Sequence, residues 1–281
     1  MTGKLVLCGT PIGNLDDLSP RAIKALESAD IVACEDTRRT RKLLSHFGIR
    51  ARELVVYHEG NERQKARDLT ARIARGQTVV LVSDAGMPGL SDPGYHLVTA
   101  CTEAGIDVAV VPGPSAAITA LALSGLPPAR FVFEGFLPRK QGDRRRRLHE
   151  LVDEPRTIVF YESPHRIEAC MGDLLECLGD RPACLARELT KLHEEVRRGS
   201  LAELNQSVRA EPVRGEIVVV VGGAVREHSV QPDATELARR ARQLMDEGLD
   251  RKVALADVAR EAGVPKRKVF DALVELRDRE G

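Results

Sequence analysis

Five short runs rich in Val, Ile and Leu fall within the first 111 residues, each separated from the next by a stretch of helical spacing. They are "KLVLC" (4–8), "IVAC" (31–34), "ELVVY" (53–57), "TVVLV" (78–82) and "DVAVV" (107–111). Apolar runs this short, bounded by turn residues, suit strands covered on both faces. Their alternation with helices predicts an α/β layer with parallel strands. Ser19-Pro20 marks a helix start, with a hydroxyl N-cap and Pro at the first helical position. Residues 61–75 predict another helix, with Ala66, Leu69 and Ile73 inward and Gly76 at its end. Further helices are expected from Tyr95 and Ser115.

Three of these strands run into Gly/Pro turns followed by helices: "GTPIGN" (9–14), "LVSDAGMPGLSDPG" (81–94) and "PGPSAA" (112–117). In a parallel sheet all three turns lie at the carboxyl edge, where open α/β sheets bind ligands. None supplies the Lys of G-x-x-x-x-G-K-[ST], and neither G-x-G-x-x-G nor G-x-S-x-G occurs in them. Repeated prolines remove N–H donors, so these turns make poor phosphate cradles. They better suit a ligand with a flat ring, hydroxyls and a cationic centre that Asp84 could approach. Gly86, Gly89 and Gly94 allow positive φ or close backbone approach, and Pro88 and Pro93 stiffen the path. Asp92, ahead of Pro93-Gly94, is expected to cap the next helix.

Beyond the Pro/Gly hinge "SGLPPARF" (124–131), strands are expected at 131–136, 156–161, 183–188, 194–199 and 216–221. Helices are expected at 143–152, at 164–178 and from Leu201. The short spacing of the later strands makes part of this second sheet antiparallel. A polar linker at 222–235 leads to a helical tail, in which 254–276 reads as helix, Gly263-Val264-Pro265 turn, helix. The 281 residues then divide into an N-terminal α/β unit (1–123), a second α/β unit (124–225) and a helix-turn-helix-like tail (226–281).

Lys and Arg number 42 and so do Asp and Glu, so a polyanionic partner must be met by local patches. Aromatic residues make up 3% with no Trp, which argues against a stacking platform for single-stranded nucleic acid. The six cysteines form no Cys-x-x-Cys pair and suit buried thiols in a reducing compartment. His46, His58, His96 and His193 share no metal-ligand spacing, so no metal is expected. With no signal-like start and no long apolar segment, a cytoplasmic protein without a membrane partner is expected.

Several motifs together resemble a known family. "TPIGNLDDLSPRAIKALESADIVACEDTRRTRKLLSHFGI", "LVSDAGMPGLSDPGYHLV", "VPGPSAAITALALSGLP", "FEGFLPRK", "FYESPHRI" and "ARELTKLHEEVRRGSLAEL" are similar to the ribosomal RNA small subunit methyltransferase I family, of the tetrapyrrole-methylase fold. The resemblance covers residues 4–225, and the tail resembles the family's C-terminal helical appendage. Three positions depart from its pattern: Met87 stands at a usual Thr, Gly89-Leu90 at two large aliphatics, and Gly60 at a usual His. Gly60 argues against an essential imidazole there.

The resemblance implies a class III S-adenosylmethionine methyltransferase fold. Two α/β units would enclose a cofactor cleft, and the enzyme would be a homodimer. It implies transfer of a methyl group to the ribose 2′-hydroxyl of a decoding-region cytidine in 16S rRNA, within the small ribosomal subunit. Carried onto this chain, the cofactor residues are Thr10 and Pro11, then Asp84, Ala85 and Gly86, then Ser115 and Ala116, with Phe160 and Ala186 as further walls. In-line displacement needs alignment above all, and a weakly acidic hydroxyl needs a base. Charged residues at strand mouths are candidates: Asp36 or Glu162 at the hydroxyl, and Arg38 on a phosphate. Two basic runs would meet RNA phosphates, Arg39, Arg41 and Lys42 in one, and Arg139, Lys140, Arg144, Arg145, Arg146 and Arg147 in the other. Two alternatives stand beside this reading. One is methylation of a tetrapyrrole or a protein side chain on the same fold. The other is a non-enzymatic nucleic-acid-binding regulator led by the tail.

Overall fold

The five strands of the first half pair as one parallel sheet in the order β3-β2-β4-β1-β5. They are β1 (Lys4–Cys8), β2 (Ile31–Cys34), β3 (Leu54–Val56), β4 (Thr78–Leu81) and β5 (Val108–Val111). A computed structural model describes residues 3–224 and 233–280 of the chain. Helices α1 (Pro20–Ser28), α2 (Thr37–His46), α3 (Glu62–Ala74) and α4 (Tyr95–Glu103) connect these strands. Side chains alternate across the sheet as the period of two requires. Val6, Cys8, Val32 and Val80 pack with Leu26 and Leu44 on one face, while Leu5, Ile31, Val79 and Leu81 pack with Leu69, Ile73 and Leu97 on the other. Ser19 caps α1 as expected, its hydroxyl accepting from Ala22 N at 3.1 Å.

The second sheet has the order β6-β7-β10-β8-β9, built from β6 (Phe131–Phe136), β7 (Thr157–Glu162), β8 (Pro182–Arg187), β9 (Glu195–Ser200) and β10 (Ile217–Val221). Only β6 and β7 run parallel; β10 is antiparallel to β7 and β8, and β8 to β9. Helices α6 (Gln141–His149), α7 (Ile167–Leu178) and α8 (Leu201–Ala210) cover one face of this sheet. Its other face is covered by α5 (Ala116–Ser124), whose Ala117, Ala120 and Leu121 pack on Val159, Ala186 and Val218. The expected boundary at 123 thus moves: α5 follows the last strand of the first sheet but buries its small apolar face on the second. Ile12, from the first Gly/Pro turn, joins the same cluster.

Both sheets belong to one compact unit that ends at Ala224, and the tail forms a second. Among the described residues the tail has α10 (Arg251–Glu261) and α11 (Lys266–Glu280) on either side of the expected turn, preceded by α9 (Ala234–Asp246), around Leu237, Ala241, Leu255, Val258 and Val269. Of the expected linker, 225–232 lies outside the described residues. Among the described residues no helix is long and apolar enough to cross a membrane.

Candidate functional site

The three Gly/Pro turns are fastened to one another by backbone. Thr10 and Gly86 form an antiparallel bridge, Thr10 N donating to Gly86 O at 2.9 Å and Gly86 N to Thr10 O at 3.2 Å. The buried Thr10 hydroxyl adds a bond to Ser83 O at 3.2 Å. Gly9 and Gly113 sit backbone to backbone, so that a Cβ on Gly9 would lie 2.6 Å from Gly113 Cα. Any side chain there would push the first and third turns apart. The second turn takes positive φ at Gly86, Gly89 and Gly94, as its composition predicts.

This assembly also grips the second sheet. Asn14 N donates to Thr190 Oγ1 at 3.0 Å, in the turn between β8 and β9. Two adjoining cavities of about 310 Å³ each open at the carboxyl edge, within the range of ligand sites. One lies over Thr10, Pro11 and Gly13, with Arg39, Lys42 and Lys191 around it. The other runs between Gly86, Met87, Ser115 and Ala116 on one side and Tyr161 and Ile217 on the other.

The second cavity is strongly acidic. Glu35, Asp84, Asp92, Glu162 and Glu216 line it against a single Arg, Arg39. Asp84 is clasped in the β2–α2 turn: its Oδ1 accepts from Asp36 N at 3.2 Å, its own N donates to Glu35 Oε1 at 3.2 Å, and Arg39 lies 3.3 Å from its Oδ2. Burial, reinforced by Asp84, raises the Glu35 carboxyl above its ordinary value. Asp92 goes further, pushed up to about 7 by burial and then by Glu35. A cavity lined this way favours a bound cation.

Most of the anticipated cofactor residues meet here: Thr10 and Pro11 at the first cavity, Asp84 and Ala85 at both, Gly86, Ser115 and Ala116 at the second. Phe160 and Ala186 do not line either. Phe160 is fully buried on the opposite face of β7, among Leu148, Ile167 and Leu185, while its neighbour Tyr161 takes the cavity side. The two-residue period of the strand decides between them. Ala186 lies beneath α5. Tyr161 hydroxyl accepts from Ala117 N at 3.3 Å and so ties the start of α5 to the cavity wall. Tyr161, Leu189, Ile217 and Asp92 were not assigned from sequence; strand alternation carried the signal for Tyr161.

The candidate bases are also rearranged. Asp36 caps α2 through Arg38 N at 2.8 Å and pairs with the Arg38 guanidinium at 2.9 Å. Those bonds hold its carboxyl down at about 2, and neither residue lines either of the two cavities. Glu162 does line the second cavity, yet its Oε1 accepts from Ser163 N at 2.8 Å and its Oε2 lies 3.3 Å from Arg166. Asp92 does not cap α4, because the N-cap position is Gly94 and no side chain bonds the helix start.

The basic runs part company. Arg41, Lys42, Arg139 and Lys140 are exposed, and no ion pair holds them among the described residues. Arg144, by contrast, is buried, its Nε 2.7 Å from Asp173 Oδ2. Arg145 reaches Asp173 at 2.7 Å, Arg146 reaches Asp143 at 2.7 Å, and Arg147 reaches Glu134 at 2.8 Å. Arg144 is therefore a core ion-pair residue rather than part of an RNA-facing surface. All six cysteines are buried and unpaired. Among the described residues no group of His, Cys, Asp and Glu is arranged to hold a metal ion.

Residues 4–205 match the family of tetrapyrrole (corrin/porphyrin) methylases. Among solved structures, the methyltransferase CobJ superposes with a TM-score of 0.60 at 23% identity, over 79% of this chain and 95% of that one. A uroporphyrin-III C-methyltransferase from Thermus thermophilus, complexed with S-adenyl homocysteine, superposes at 0.57 with 21% identity, over 78% and 97%. Those two likenesses establish the fold. Proteins named ribosomal RNA small subunit methyltransferase I are much closer in sequence. The one from Synechocystis is 44% identical over 98% of both chains. The one from Mycobacterium bovis is 47% identical over 100% of this chain and 98% of its own. That from Escherichia coli O157:H7 is 46% identical over 97% and 95%. With the full length aligned and the three welded turns in place, the chain belongs to the ribosomal RNA small subunit methyltransferase I family, on the tetrapyrrole-methylase fold.

Proposed function

We propose that the protein transfers a methyl group from S-adenosylmethionine to the ribose 2′-hydroxyl of a decoding-region cytidine in 16S rRNA, acting on the small ribosomal subunit in the cytoplasm. The observation that carries this reading is the acidic cavity walled by the three fastened turns, with cations at its border. Carboxylates from Glu35, Asp84 and Asp92 suit a sulfonium, which supplies an activated methyl group when bound. Asp84, Gly86, Ser115 and Ala116 would hold it through their polar and backbone groups. Lys42, Arg39 and Lys191 at the neighbouring cavity suit carboxylate or phosphate oxygens. Relatives named for ribosomal RNA methylation point to the same substrate class.

RNA contact falls to Arg39, Arg41, Lys42, Arg139 and Lys140, with Arg146 able to join because an exposed i,i+3 pair is weak. The homodimer implied by the family resemblance has a candidate surface at β5, an edge strand that leaves Val108 38% and Val110 48% exposed. Sedimentation equilibrium measures that state directly.

The decisive experiment supplies labelled S-adenosylmethionine and 30S subunits from a strain lacking the modification, then identifies the methylated nucleoside by mass spectrometry. The expected product is 2′-O-methylcytidine; label in a base, or none in the rRNA, overturns the reading. Asp84→Ala is expected to weaken cofactor binding by about 10- to 100-fold in calorimetry, as loss of a charge-assisted partner of ~1.5–3 kcal/mol implies.

A further inference from the structure

Asp92 occupies a segment bent at visible conformational cost. Ser91, just before it, has φ of 61°, a left-handed conformation that a non-glycine residue adopts at a cost of order 1–3 kcal/mol. Facing it, the β6–β7 pairing shifts register between Phe133 and Gly135, and Gly135 itself has φ of 63°. A Cβ on Gly135 would lie 2.8 Å from Ser91 Oγ. The second sheet is thus recessed at the place where the strained loop of the first sheet enters. The two irregularities together deliver the Asp92 carboxyl into the acidic cavity, beside Gly86, Ser115 and Tyr161. Leu90 and Phe136 flank the opening with 53% and 54% of their surfaces exposed, an apolar rim on which a nucleobase could rest.

The other carboxylates of the cavity are engaged. Asp84 holds Asp36 N and Arg39, Glu35 holds Asp84 N, and Glu162 is occupied by Ser163 and Arg166. No cation pairs with Asp92 among the described residues, and the Ser83 side chain only partly offsets the upward shift of its carboxyl. The groups facing it are Glu35 from the β2–α2 turn, Asp84 from the turn after β4 and Glu216 ahead of β10, with Arg39, Tyr161 and Glu162 on the same walls. This surrounding negative charge, after burial, is what holds Asp92 up at about 7.

We propose that Asp92 is the catalytic base that takes the proton from the ribose 2′-hydroxyl, an assignment that rests on the ribose-methylating function proposed above. In balance, the hydroxyl oxygen forms a bond to the methyl carbon as that carbon's bond to sulfur breaks. The bonding pair stays with sulfur, and the hydroxyl proton moves to an Asp92 carboxylate oxygen. Positive charge in the cavity before transfer keeps Asp92 ionised and able to accept. Its disappearance afterwards leaves Glu35, Asp84 and Asp92 facing one another, which favours the protonated form.

Asp92→Asn and Asp92→Glu in the full chain test this by two readouts. Calorimetry of S-adenosylmethionine binding at pH 7, run in buffers of different ionisation enthalpy, counts released protons. Wild type is expected to release roughly half a proton, as a group titrating near 7 that becomes ionised requires. Asp92→Asn is expected to release none while its Kd stays within about tenfold. With the 30S substrate, Asp92→Asn is expected to lose roughly 10²–10⁴-fold in kcat, with Asp92→Glu recovering part of it. A thermal melt at pH 5 no lower than that of wild type establishes that Asp92→Asn is folded. Wild-type turnover in Asp92→Asn, or unchanged proton release, overturns the assignment. If wild type itself yields no ribose-methylated nucleoside, the function fails instead, and the proton count separates the two failures.

Discussion

Two arginine-rich runs of similar composition, "TRRTRK" (37–42) and "RRRR" (144–147), have opposite fates in the folded chain. The first opens α2 at the cavity mouth and leaves Arg41 and Lys42 without an ion pair among the described residues. In the second, every guanidinium finds a carboxylate, and Arg144 is only 5% exposed against an Asp173 that is 2% exposed. Charge density in a sequence therefore does not identify a polyanion-binding surface. The first run faces solvent because its helix buries only Thr40 and Leu44. The second lies on a helix packed against α7, whose Asp173 turns inward to meet it.

Truncating Arg144 tests that contrast most severely. Arg144→Ala removes the buried guanidinium from Asp173 and leaves that carboxylate to Arg145 and Gln141, and denaturant unfolding is expected to show a loss of ~1–3 kcal/mol. A cost below about 1 kcal/mol would mean that Arg144 is not structural after all. Arg147→Ala leaves Glu134, with its side chain 8% exposed, without its main partner and should cost ~1–3 kcal/mol. The replacement of both Arg41 and Lys42 by Ala should leave the melting curve in place but weaken binding to the rRNA substrate by about tenfold. It should also lower the salt slope by roughly one for each phosphate that the removed cations had neutralised. Arg146→Ala should shift stability by no more than ~0.5 kcal/mol, since its pair with Asp143 is exposed.

The same contrast has a pH signature. Burial alone would raise the Asp173 carboxyl, but bonds from Arg145, Gln141 and Arg144 hold it below its ordinary value. A carboxyl with a lowered folded value contributes stability above its unfolded value, near 3.9, and loses it as pH falls through the folded one. The gap between wild type and Asp173→Asn should therefore narrow as pH falls below about 4 in acid titrations. Asp92 has the opposite sign. Its raised value makes ionisation costly, so Asp92→Asn should melt above wild type at pH 8, with the advantage shrinking as pH falls below about 7 and gone only below the unfolded value near 3.9.

Strand positions, the helix start at Ser19, the antiparallel part of the second sheet and the three turns at one sheet edge were all legible in the sequence. Each rests on a signal within a few residues: an apolar run, a capping hydroxyl, a Gly/Pro cluster. The same locality explains most of the cavity, because the residues at Thr10, Asp84 and Ser115 follow directly from where their strands end. What tertiary structure alone decided concerns pairings across long separations. Arg144 and Asp173 lie 29 positions apart, and Asp84 and Asp36 48. Likewise, α5 left the sheet it follows for the one it precedes, and Phe160 gave its expected place to Tyr161 once the face of β7 was set by packing. Asp92 shows the difference most plainly. Its sequence neighbours Pro93 and Gly94 suggest a helix cap, a local role. A register shift in β6, at Gly135, makes room for the turn that carries it into the cavity. Short-range preferences set the elements, whereas burial and charge are properties of what those elements meet.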